Sequence, residues 1–440
     1  MKFRISGRRS AALAVALAAC AAWTAVAPAA SAETPGGGAG PGGPLTSATR
    51  FYVDPDSGAA RQAVADQAAG GAESAVDAAN MRRLAALPQA AWFTGGTPEG
   101  VRAGAGALMA RARAAHQVPV LVAYNIPGRD CGLYSSGGAP SSAAYRDWIG
   151  ALSDGVGEGP ALVILEPDAL AALPKDCAGN ADPTGALTAA RLADLDFAVT
   201  TLKRRPGTAV YLDAGNSQWK AVGDIARRLI DAGVAKADGF SLNVSNFQPT
   251  EQLTRYGTWV SKCVWFATRG PDWARGHTDW CASQYYSGAA PNDGAPGNAV
   301  SAADPTTWHW TDAWYDQATG SPATTELLHF VVDTSRNGRG PWTPAPGTYA
   351  DPETWCNPPG RGMGPRPTAD TGVPLADAYL YVKTIGESDG SCTRGTGGTV
   401  DPAYGVVDPP AGAWWPEFAH GLAREARPAL TLDADPALAR

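Results

Sequence analysis

Residues 161–168 read Ala-Leu-Val-Ile-Leu-Glu-Pro-Asp, an apolar run that ends at two carboxylates. Four consecutive large aliphatic residues between turn signals are typical of a strand that is buried on both faces. Pro167 cannot donate a hydrogen bond to a sheet and favours extended backbone at Glu166, so the strand should end there. Asp168 would then lie at the end of a buried strand, where a carboxylate is poorly solvated. Taken alone, Asp168 fits equally well as the N-cap of a following helix.

Further apolar runs alternate with amphipathic segments along the chain. The predicted strands are residues 118–125, 161–165, 209–213, 239–246, 329–333 and 378–383. The predicted helices between them include residues 142–156, 186–204, 219–232 and 251–267. Such alternation predicts an α/β fold with right-handed crossovers and parallel strands. We favour a distorted parallel-strand barrel with long active-site loops over an open doubly wound sheet, because no Gly-x-Gly-x-x-Gly follows the first strand and polar residues end nearly every strand.

Each predicted strand delivers polar side chains to its carboxyl end. These side chains lie in residues 124–131, 166–168, 213–216, 243–246, 333–336 and 383–390. In a parallel barrel the carboxyl ends of all strands meet at one rim, and active sites are built on that rim. The pattern therefore predicts an active site, with solvated helix caps and turn residues as the alternative explanation.

The first 32 residues have the layout of a secretory signal peptide, with a basic start, an apolar stretch and a final Ala-Ser-Ala. Arg8 and Arg9 leave the twin-arginine export route open. The run that ends at Cys20 resembles a lipoprotein cleavage box, although the apolar stretch continues beyond it. No later stretch is long and apolar enough to span a membrane. We therefore expect a secreted, extracellular protein that has no membrane partner once the signal is removed.

Composition divides the remaining chain into two parts. Residues 33–50 form a Gly/Pro-rich flexible leader, and residues 51–440 show no further composition break, which predicts one large domain. The whole chain carries a formal net charge of −7, and the signal segment holds four basic residues and no acidic ones, so the mature chain carries −11. An acidic chain without a basic block argues against nucleic acid as a partner.

Six cysteines remain beyond the signal segment, and an even number in an exported protein indicates three disulfides. Their pairing cannot be read from the count alone. A zinc site is disfavoured because no two cysteines have Cys-x-x-Cys spacing and no His-Glu-x-x-His occurs. We expect neither a metal nor another cofactor.

Tryptophan is unusually frequent, with 15 in the chain, many of them beside turns and polar residues. Examples are Trp92, Trp219, Trp273, Trp280, Trp308, Trp310, Trp342 and Trp355. An indole near the surface is costly to expose unless something stacks on it, and the apolar faces of sugar rings can do so. Core or loop packing is the alternative for each of them.

Several converging carboxylates without a metal motif, a Ser-His-Asp arrangement or a phosphate loop indicate general acid–base chemistry on a neutral polymer. Glycoside hydrolysis needs one protonated carboxyl group that donates to the leaving oxygen. An inverting enzyme also needs a basic function that activates water, with the two carboxyl groups roughly 6.5–9.5 Å apart.

Six separated motifs, in order, resemble glycoside hydrolase family 6. They are Tyr-Asn-Ile-Pro-Gly-Arg-Asp-Cys at 124–131 with Ser-Ser-Gly-Gly-Ala after it, Val-Ile-Leu-Glu-Pro-Asp at 163–168, Leu-Asp-Ala-Gly-Asn-Ser-x-Trp at 212–219, Asp-Thr-Ser-Arg-Asn-Gly at 333–338, Trp-Cys-Asn-Pro-Pro-Gly-Arg at 355–361 and Lys-Thr-Ile-Gly-Glu-Ser-Asp-Gly at 383–390. The resemblance covers nearly everything from residue 51 onward. It implies a distorted α/β barrel and inverting hydrolysis of β-1,4-glucan. We expect cellulose or cello-oligosaccharides as the partner, and a monomeric enzyme.

The resemblance also implies roles for three aspartates. Asp168 falls on the general acid of the family. Asp130 matches a second aspartate that raises the pKa of the acid and helps to pass a proton from the water, and a nearby like charge is a sound reason for such a rise. Asp389 matches the position usually called the base, with a water relay as the alternative.

Substrate contacts follow from the same comparison. Tyr124 matches a tyrosine that crowds the sugar at the cleavage point, and Ser136 matches a serine that helps to hold the water. Trp92, Trp219 and Trp355 fall on sugar-stacking positions, and Asn246, Lys383 and Glu387 fall on hydrogen-bonding ones. The sequence departs from the fungal pattern at two positions, since Asn216 replaces a histidine and Thr94 replaces an aspartate.

The resemblance pairs Cys131 with Cys177 and Cys356 with Cys392, which leaves Cys263 to pair with Cys281. An insertion from about residue 258 to residue 321, rich in Trp and Tyr, resembles loops that roof the cleft of bacterial cellobiohydrolases. It predicts exo action that releases cellobiose from non-reducing ends. An open-cleft endoglucanase is the nearest alternative, followed by a non-catalytic polysaccharide-binding protein and a metal-dependent barrel hydrolase.

Overall fold

The computed structural model describes residues 45–178, 182–286 and 299–430. The predicted signal peptide, with Cys20, and most of the predicted Gly/Pro-rich leader lie outside these residues. The last residues of that leader are described, and there the Arg50 carbonyl accepts a hydrogen bond from the Val118 amide at 2.8 Å.

Seven strands and nine α-helices are assigned within the described residues. The strands are β1 (Ala91–Phe93), β2 (Val120–Ala123), β3 (Ala161–Leu165), β4 (Thr208–Asp213), β5 (Gly239–Leu242), β6 (His329–Asp333) and β7 (Ala376–Leu380). The helices are α1 (Gly58–Ala69), α2 (Ala72–Ala85), α3 (Pro98–Ala114), α4 (Ser142–Val156), α5 (Ala186–Leu202), α6 (Val222–Asp231), α7 (Thr250–Thr268), α8 (His309–Thr319) and α9 (Pro416–Arg424).

The strands form one sheet in chain order, and every neighbouring pair is parallel. The sheet curls into a distorted barrel. At its seam the Ala90 amide, just before β1, donates to the Tyr381 carbonyl, just after β7, at 2.9 Å. The predicted α/β barrel is confirmed. Strand β1 was not predicted, because three residues are too few to show a periodic pattern.

Strand β3 shows why these strands are continuously apolar. Leu162 and Ile164 belong to a hydrophobic cluster inside the barrel, with Val122 and Tyr211 from the neighbouring strands. Residues between them, such as Val163, belong to the larger cluster between the strands and the helices. Because both faces of the sheet are covered, side chains of either parity must be apolar.

Helix α4 illustrates the outer layer. The Ser141 hydroxyl accepts a hydrogen bond from the Ala144 amide and so caps the first turn. Tyr145, Ile149 and Leu152 recur at helical spacing and are fully buried against the outside of the sheet. Each such helix covers the strands and returns the chain to the start of the next one.

Three disulfides join Cys131 to Cys177, Cys263 to Cys281 and Cys356 to Cys392. These are the pairs that the family resemblance implied. The first and third fasten loops at the carboxyl ends of the strands, whereas the second joins α7 to the loop that follows it. No helix within the described residues has the length and apolar character that a membrane span requires.

The insertion predicted to roof the cleft begins inside α7 and ends just after α8. Its described loop residues pack beside α6 and the loop that follows β4, since Gln284 donates to the Ser217 carbonyl at 2.9 Å and Arg227 donates to the Gly276 carbonyl at 2.6 Å. Trp308 is fully buried against Trp259, with ring centroids 5.0 Å apart, so it serves the core. Residues 287–298 of the insertion lie outside the described residues.

Candidate active site

The backbone after β3 changes direction sharply at the two carboxylates. Glu166 has φ +52° and Asp168 has φ +67°, a conformation that costs energy for residues other than glycine. The Glu166 carboxylate is fully buried and accepts hydrogen bonds from the amides of Asn125 and Ile126, each at 3.0 Å. Glu166 therefore ties the end of β3 to the end of β2, while Asp168 stays partly exposed at the rim.

Asp168 lies among other carboxylates. Burial raises the pKa of its carboxyl well above the ordinary value, and the negative charges of Asp213, Asp130 and Asp389 raise it further. Burial raises the pKa of the Tyr124 hydroxyl, and the negative charges of Asp168 and Asp130 raise it further. The three aspartates predicted from sequence are thus brought to one place.

Asp130 lies on the loop that follows β2, with φ +60°. Its carboxylate accepts a hydrogen bond from the Ser135 amide at 2.6 Å, and burial raises its pKa. The guanidinium of Arg129 lies 4.5 Å from the centre of the Tyr124 ring and donates to the Thr94 carbonyl at 2.8 Å. Thr94, one of the two departures from the family pattern, therefore helps to hold this loop through its main chain.

Asp389 has the opposite electrostatic environment. Burial alone would raise its pKa, but Arg336 at 2.7 Å and Lys383 at 3.3 Å hold the pKa below the ordinary value. Arg336 is itself fully buried. Two carboxyl groups whose pKa values are pushed apart in this way form the usual arrangement of an acid and a base.

Two further buried aspartates, to which the sequence pattern gave no role, accept hydrogen bonds from groups at the ends of neighbouring strands. Asp213, at the end of β4, accepts hydrogen bonds from the Asp168 amide at 2.9 Å and from the Ser241 hydroxyl at 3.1 Å, and burial raises its pKa to about 7. Asp333, at the end of β6, accepts from the amides of Ser245 and Lys383 at 2.9 and 3.1 Å. Their position at strand ends was a signal, but the partners were not predictable.

The predicted sugar-stacking residues differ in exposure. Trp219 and Trp355 are 40% and 36% exposed. Trp92 packs edge-on against Tyr124, with centroids 5.5 Å apart, and its indole N–H donates to the Val382 carbonyl at 2.8 Å. An indole held at its N–H keeps its orientation and can present a face to a ligand.

Two of the side chains predicted to hydrogen-bond sugar hydroxyls already bind groups within the protein. Lys383 donates to the Ser388 carbonyl at 3.2 Å and pairs with Asp389. The Asn246 side chain donates to the Val244 carbonyl at 3.0 Å. Burial raises the pKa of Glu387, while the charge of Lys383 opposes that rise. Ser136 is exposed on the loop that carries Asp130.

Asn216, the second departure from the family pattern, is fully buried behind the rim. Its side-chain oxygen accepts a hydrogen bond from the Gln218 amide at 2.9 Å. This contact shapes the turn that carries Trp219.

A contact that the sequence analysis missed joins the loop of Asp130 to the loop that follows β6. The Tyr134 hydroxyl donates to the Glu353 carboxylate at 2.7 Å, and its ring lies 5.6 Å from that of Trp355. A Cβ atom at Gly390, next to Asp389, would lie only 2.6 Å from the Cβ of Tyr134. We call this contact the Tyr134–Glu353 bridge. Tyr134 packs directly on the backbone beside Asp389, so only glycine fits at position 390.

One group of potential metal ligands lies close together among the described residues, formed by Cys392, Asp401 and Asp408. Its sulfur is already bonded to Cys356. A thiolate ligand is therefore not available there, and only the two carboxylates could bind a cation.

Comparison with known proteins identifies the family. The chain matches the glycosyl hydrolases family 6 over residues 46–426. It belongs to that family. Endoglucanase 1 of Streptomyces halstedii is 34% identical over 385 residues, covering 86% of this chain and 90% of the relative. Endoglucanase A of Cellulomonas fimi is 33% identical over 86% of this chain, which spans 61% of that longer relative.

More distant family 6 relatives carry a different activity name. A probable 1,4-β-D-glucan cellobiohydrolase C of Aspergillus niger is 30% identical over 70% of this chain and 61% of the relative. Among solved structures, the endoglucanase Cel6 from Mycobacterium tuberculosis, in complex with a thio-linked cellobioside, has a TM-score of 0.61 at 34% identity over 88% of this chain and 99% of that one. The family 6 fold is shared, and the names divide between internal and terminal cleavage.

Proposed function

We propose that this family 6 enzyme hydrolyses β-1,4-glucosidic bonds of cellulose with inversion, using Asp168 as the general acid. The observation that supports this proposal is the opposite direction of two pKa shifts. The pKa of Asp168 is raised by burial and by neighbouring carboxylates, and the pKa of Asp389 is lowered by Arg336 and Lys383. One group therefore holds a proton at a pH at which the other is ionised.

In the proposed reaction Asp168 gives its proton to the oxygen that bridges two glucose units, and the bond from that oxygen to the anomeric carbon breaks. A water attacks the opposite face of the sugar and forms the new C–O bond. The proton lost by the water passes to Asp389, or through a water relay beside Asp130 and Ser136. Solvent then returns a proton to Asp168 and removes one from the base.

Substrate contacts are proposed for the residues that the resemblance named. Trp92, Trp219 and Trp355 would stack on sugar rings, and Tyr124 would press on the sugar at the cleavage point. Support comes from the partial exposure of Trp219 and Trp355 and from the fixed orientation of Trp92. We propose that three side chains hydrogen-bond sugar hydroxyls, namely Asn246, Lys383 and Glu387. Lys383 would use the one N–H of its ammonium group that is not directed at Asp389 or Ser388.

Replacement of the acid tests the mechanism. For Asp168→Asn we expect hydrolysis of cellulose to fall by about 10²–10⁴-fold. The loss should be smaller on an aryl cellobioside with a good leaving group, which needs little protonation. Rates near the wild-type value on both substrates would remove the acid assignment. A wild-type protein that releases no sugar would instead favour a non-catalytic binding protein, and loss of activity in EDTA would favour a metal-dependent hydrolase.

Stereochemistry tests the same proposal independently. Proton NMR of a freshly hydrolysed cello-oligosaccharide should show the α-anomer first, before mutarotation. A first product in the β configuration would rule out inversion.

We further propose exo action that releases cellobiose from non-reducing ends. The described residues of the insertion pack beside α6 and the loop after β4, which is the loop that carries Trp219. The Tyr134–Glu353 bridge fastens the loop that carries Asp130 to the loop that follows β6. Loops that are fastened to one another around a cleft favour a polymer chain that enters from an end, whereas an open groove accepts it sideways.

Endo action is the second candidate, and it is favoured by the endoglucanase names of relatives that are 33–34% identical. The viscosity of carboxymethylcellulose, plotted against the number of reducing ends released, separates the two. Exo action predicts a slow fall in viscosity per bond cut and cellobiose as the main soluble product. A steep early fall would establish endo action.

Secretion and a monomeric state are also proposed. Three disulfides suit an oxidising compartment outside the cytosol. Activity and full-length mature protein in the culture medium would support secretion, and light scattering of the purified enzyme would give its mass in solution.

A further inference from the structure

Asn357 contacts Asp389 with both its main chain and its side chain. Its amide N–H donates to the Asp389 carboxylate at 2.9 Å, and its side-chain oxygen accepts from the Asp389 amide at 2.7 Å. Asn357 is fully buried and has φ +40°, a left-handed conformation that asparagine tolerates better than most residues. One residue therefore holds both the backbone and the carboxylate of Asp389.

The partners of the Asn357 side-chain nitrogen within the described part of the chain are hydrogen-bond acceptors. The nitrogen lies 2.9 Å from the Asp408 carboxylate, 2.9 Å from the Gly390 carbonyl and 3.0 Å from the Ser388 hydroxyl oxygen. If the amide turned over, its oxygen would face the Asp408 carboxylate and the Gly390 carbonyl, and two acceptors would repel it. These neighbours therefore decide which way the amide points.

Asp408 is the ionisable member of this set. It is buried, and the charged and titratable groups around it are Asp401, Arg394 and Tyr404. Arg394 is fully buried and already pairs with Asp401 at 2.7 Å. Two carboxyl groups thus share one cation, and burial together with the charge of Asp401 raises the pKa of Asp408 to about 7.

We propose that Asp408 and Asn357 are positioning residues for Asp389. Asp408 orients the Asn357 amide, and the oriented amide holds the Asp389 loop so that the carboxylate stays against Arg336. The inference rests on the proposed role of Asp389 in activating water. Neither residue is expected to touch substrate, because both are buried behind Asp389.

A reversed pair of side chains tests this arrangement. Asn357→Asp keeps the acceptor for the Asp389 amide but sets a carboxylate oxygen against Asp408 and Gly390. We expect kcat on a soluble cello-oligosaccharide at pH 8 to fall on the order of 10²-fold, with KM nearly unchanged, because small displacements of a reacting group cost about that much. The ratio of the variant kcat to the wild-type kcat should rise at acid pH, where the carboxyl groups at positions 357 and 408 can share a proton.

The double variant Asn357→Asp with Asp408→Asn restores one donor facing one acceptor, in the opposite direction. It should recover at least about tenfold in kcat over Asn357→Asp at pH 8, since the repulsive contact with residue 408 is replaced by a hydrogen bond while the contact with the Gly390 carbonyl stays as in the single variant. A double variant no faster than Asn357→Asp overturns the proposal. A kcat of Asn357→Asp equal to that of the wild type also overturns the proposal.

A second pair of variants covers the case in which Asn357→Asp does not fold. Asp408→Ala removes the acceptor and should lower kcat about tenfold, while Asp408→Asn keeps an acceptor oxygen and should retain kcat. Equal kcat in the two variants overturns the proposal. Ser391→Ala is the matched control, because the Ser391 hydroxyl donates a hydrogen bond to the Asp408 main-chain carbonyl, at 3.1 Å, rather than to the Asp408 carboxylate.

The failure of this inference can be told apart from failure of the proposed function. If Asp168→Asn loses hydrolysis as expected but the Asn357 and Asp408 variants do not show the kcat differences given above, the proposed function stands and the positioning role is wrong. If Asp168→Asn is fully active, the proposed mechanism itself is wrong. Thermal unfolding of every variant accompanies the kinetics, so that a loss of folded protein is not counted as a loss of kcat.

Discussion

Removal of the Cys356–Cys392 disulfide should lower both stability and catalysis, whereas removal of Cys263–Cys281 should lower stability alone. The paired changes are Cys356→Ser with Cys392→Ser, and Cys263→Ser with Cys281→Ser. The first bond closes a separation of 36 residues and the second a separation of 18. In the chain-entropy description these loops correspond to about 4 and about 3 kcal/mol of unfolding free energy.

The two disulfides differ far more in their neighbours than in their expected energies. Doubling the loop length changes the closure free energy by only about 0.6 kcal/mol. Cys356 precedes Asn357, however, and the sulfur of Cys392 lies 3.2 Å from the Asn357 side-chain nitrogen. Its loss should therefore loosen the support of Asp389, whereas Cys263 is buried at the inner face of α7.

The assay combines urea unfolding with steady-state kinetics on a soluble cello-oligosaccharide at a temperature at which both variants are folded. We expect similar losses of unfolding free energy, a kcat at least about tenfold lower in the Cys356/Cys392 variant, and a wild-type kcat in the Cys263/Cys281 variant. Equal kcat values in the two folded variants would refute this reasoning.

Three further perturbations have expected outcomes. Asp130→Asn removes a negative charge that raises the pKa of Asp168. The alkaline limb of the pH profile of kcat/KM, where the acid loses its proton, should therefore move to lower pH. An unchanged alkaline limb would contradict that coupling. Arg336→Met removes the buried cation beside Asp389, so the pKa of Asp389 should rise. The acid limb of the same profile, where the base gains a proton, should therefore move to higher pH. A stationary acid limb would argue for a water relay that bypasses Asp389. Tyr134→Phe removes the hydroxyl of the Tyr134–Glu353 bridge, a contact of about 1 kcal/mol at an exposed site, and should make the viscosity of carboxymethylcellulose fall more steeply per bond cut. The control is Tyr285→Phe, which removes a hydroxyl that donates to the Gln218 carbonyl on a different loop.

The strands and the polar rim were predictable because their signals are local. Residues 161–165 and 329–333 were predicted to the residue, since apolar side chains of both parities mark a strand that is covered on both faces. Asp130, Asp168 and Asp389 stand where an apolar run stops or shortly after it. A chain that alternates such runs with helices brings those ends to one side of a parallel sheet.

The fate of the long insertion was not predictable in the same way. Its indoles were candidates for sugar stacking, yet Trp308 is buried against Trp259 while Trp273 and Trp280 remain exposed. A tryptophan between turns has the same local sequence signal whether it packs inside or lies at the surface. Only the packing of its neighbours decides between the two.

The sequence by itself determined the barrel and its polar rim, because alternation and strand ends are properties of short segments, and its resemblance to family 6 pointed to Asp168 as the candidate acid. The tertiary structure alone decided that Asp389 contacts Arg336, that Asn357 holds Asp389 from behind, and that Tyr134 meets Glu353 across the rim. These partners are 53, 32 and 219 residues apart in the chain. Their meeting depends on how the curled sheet orders its loops in space, and no local pattern carries that information.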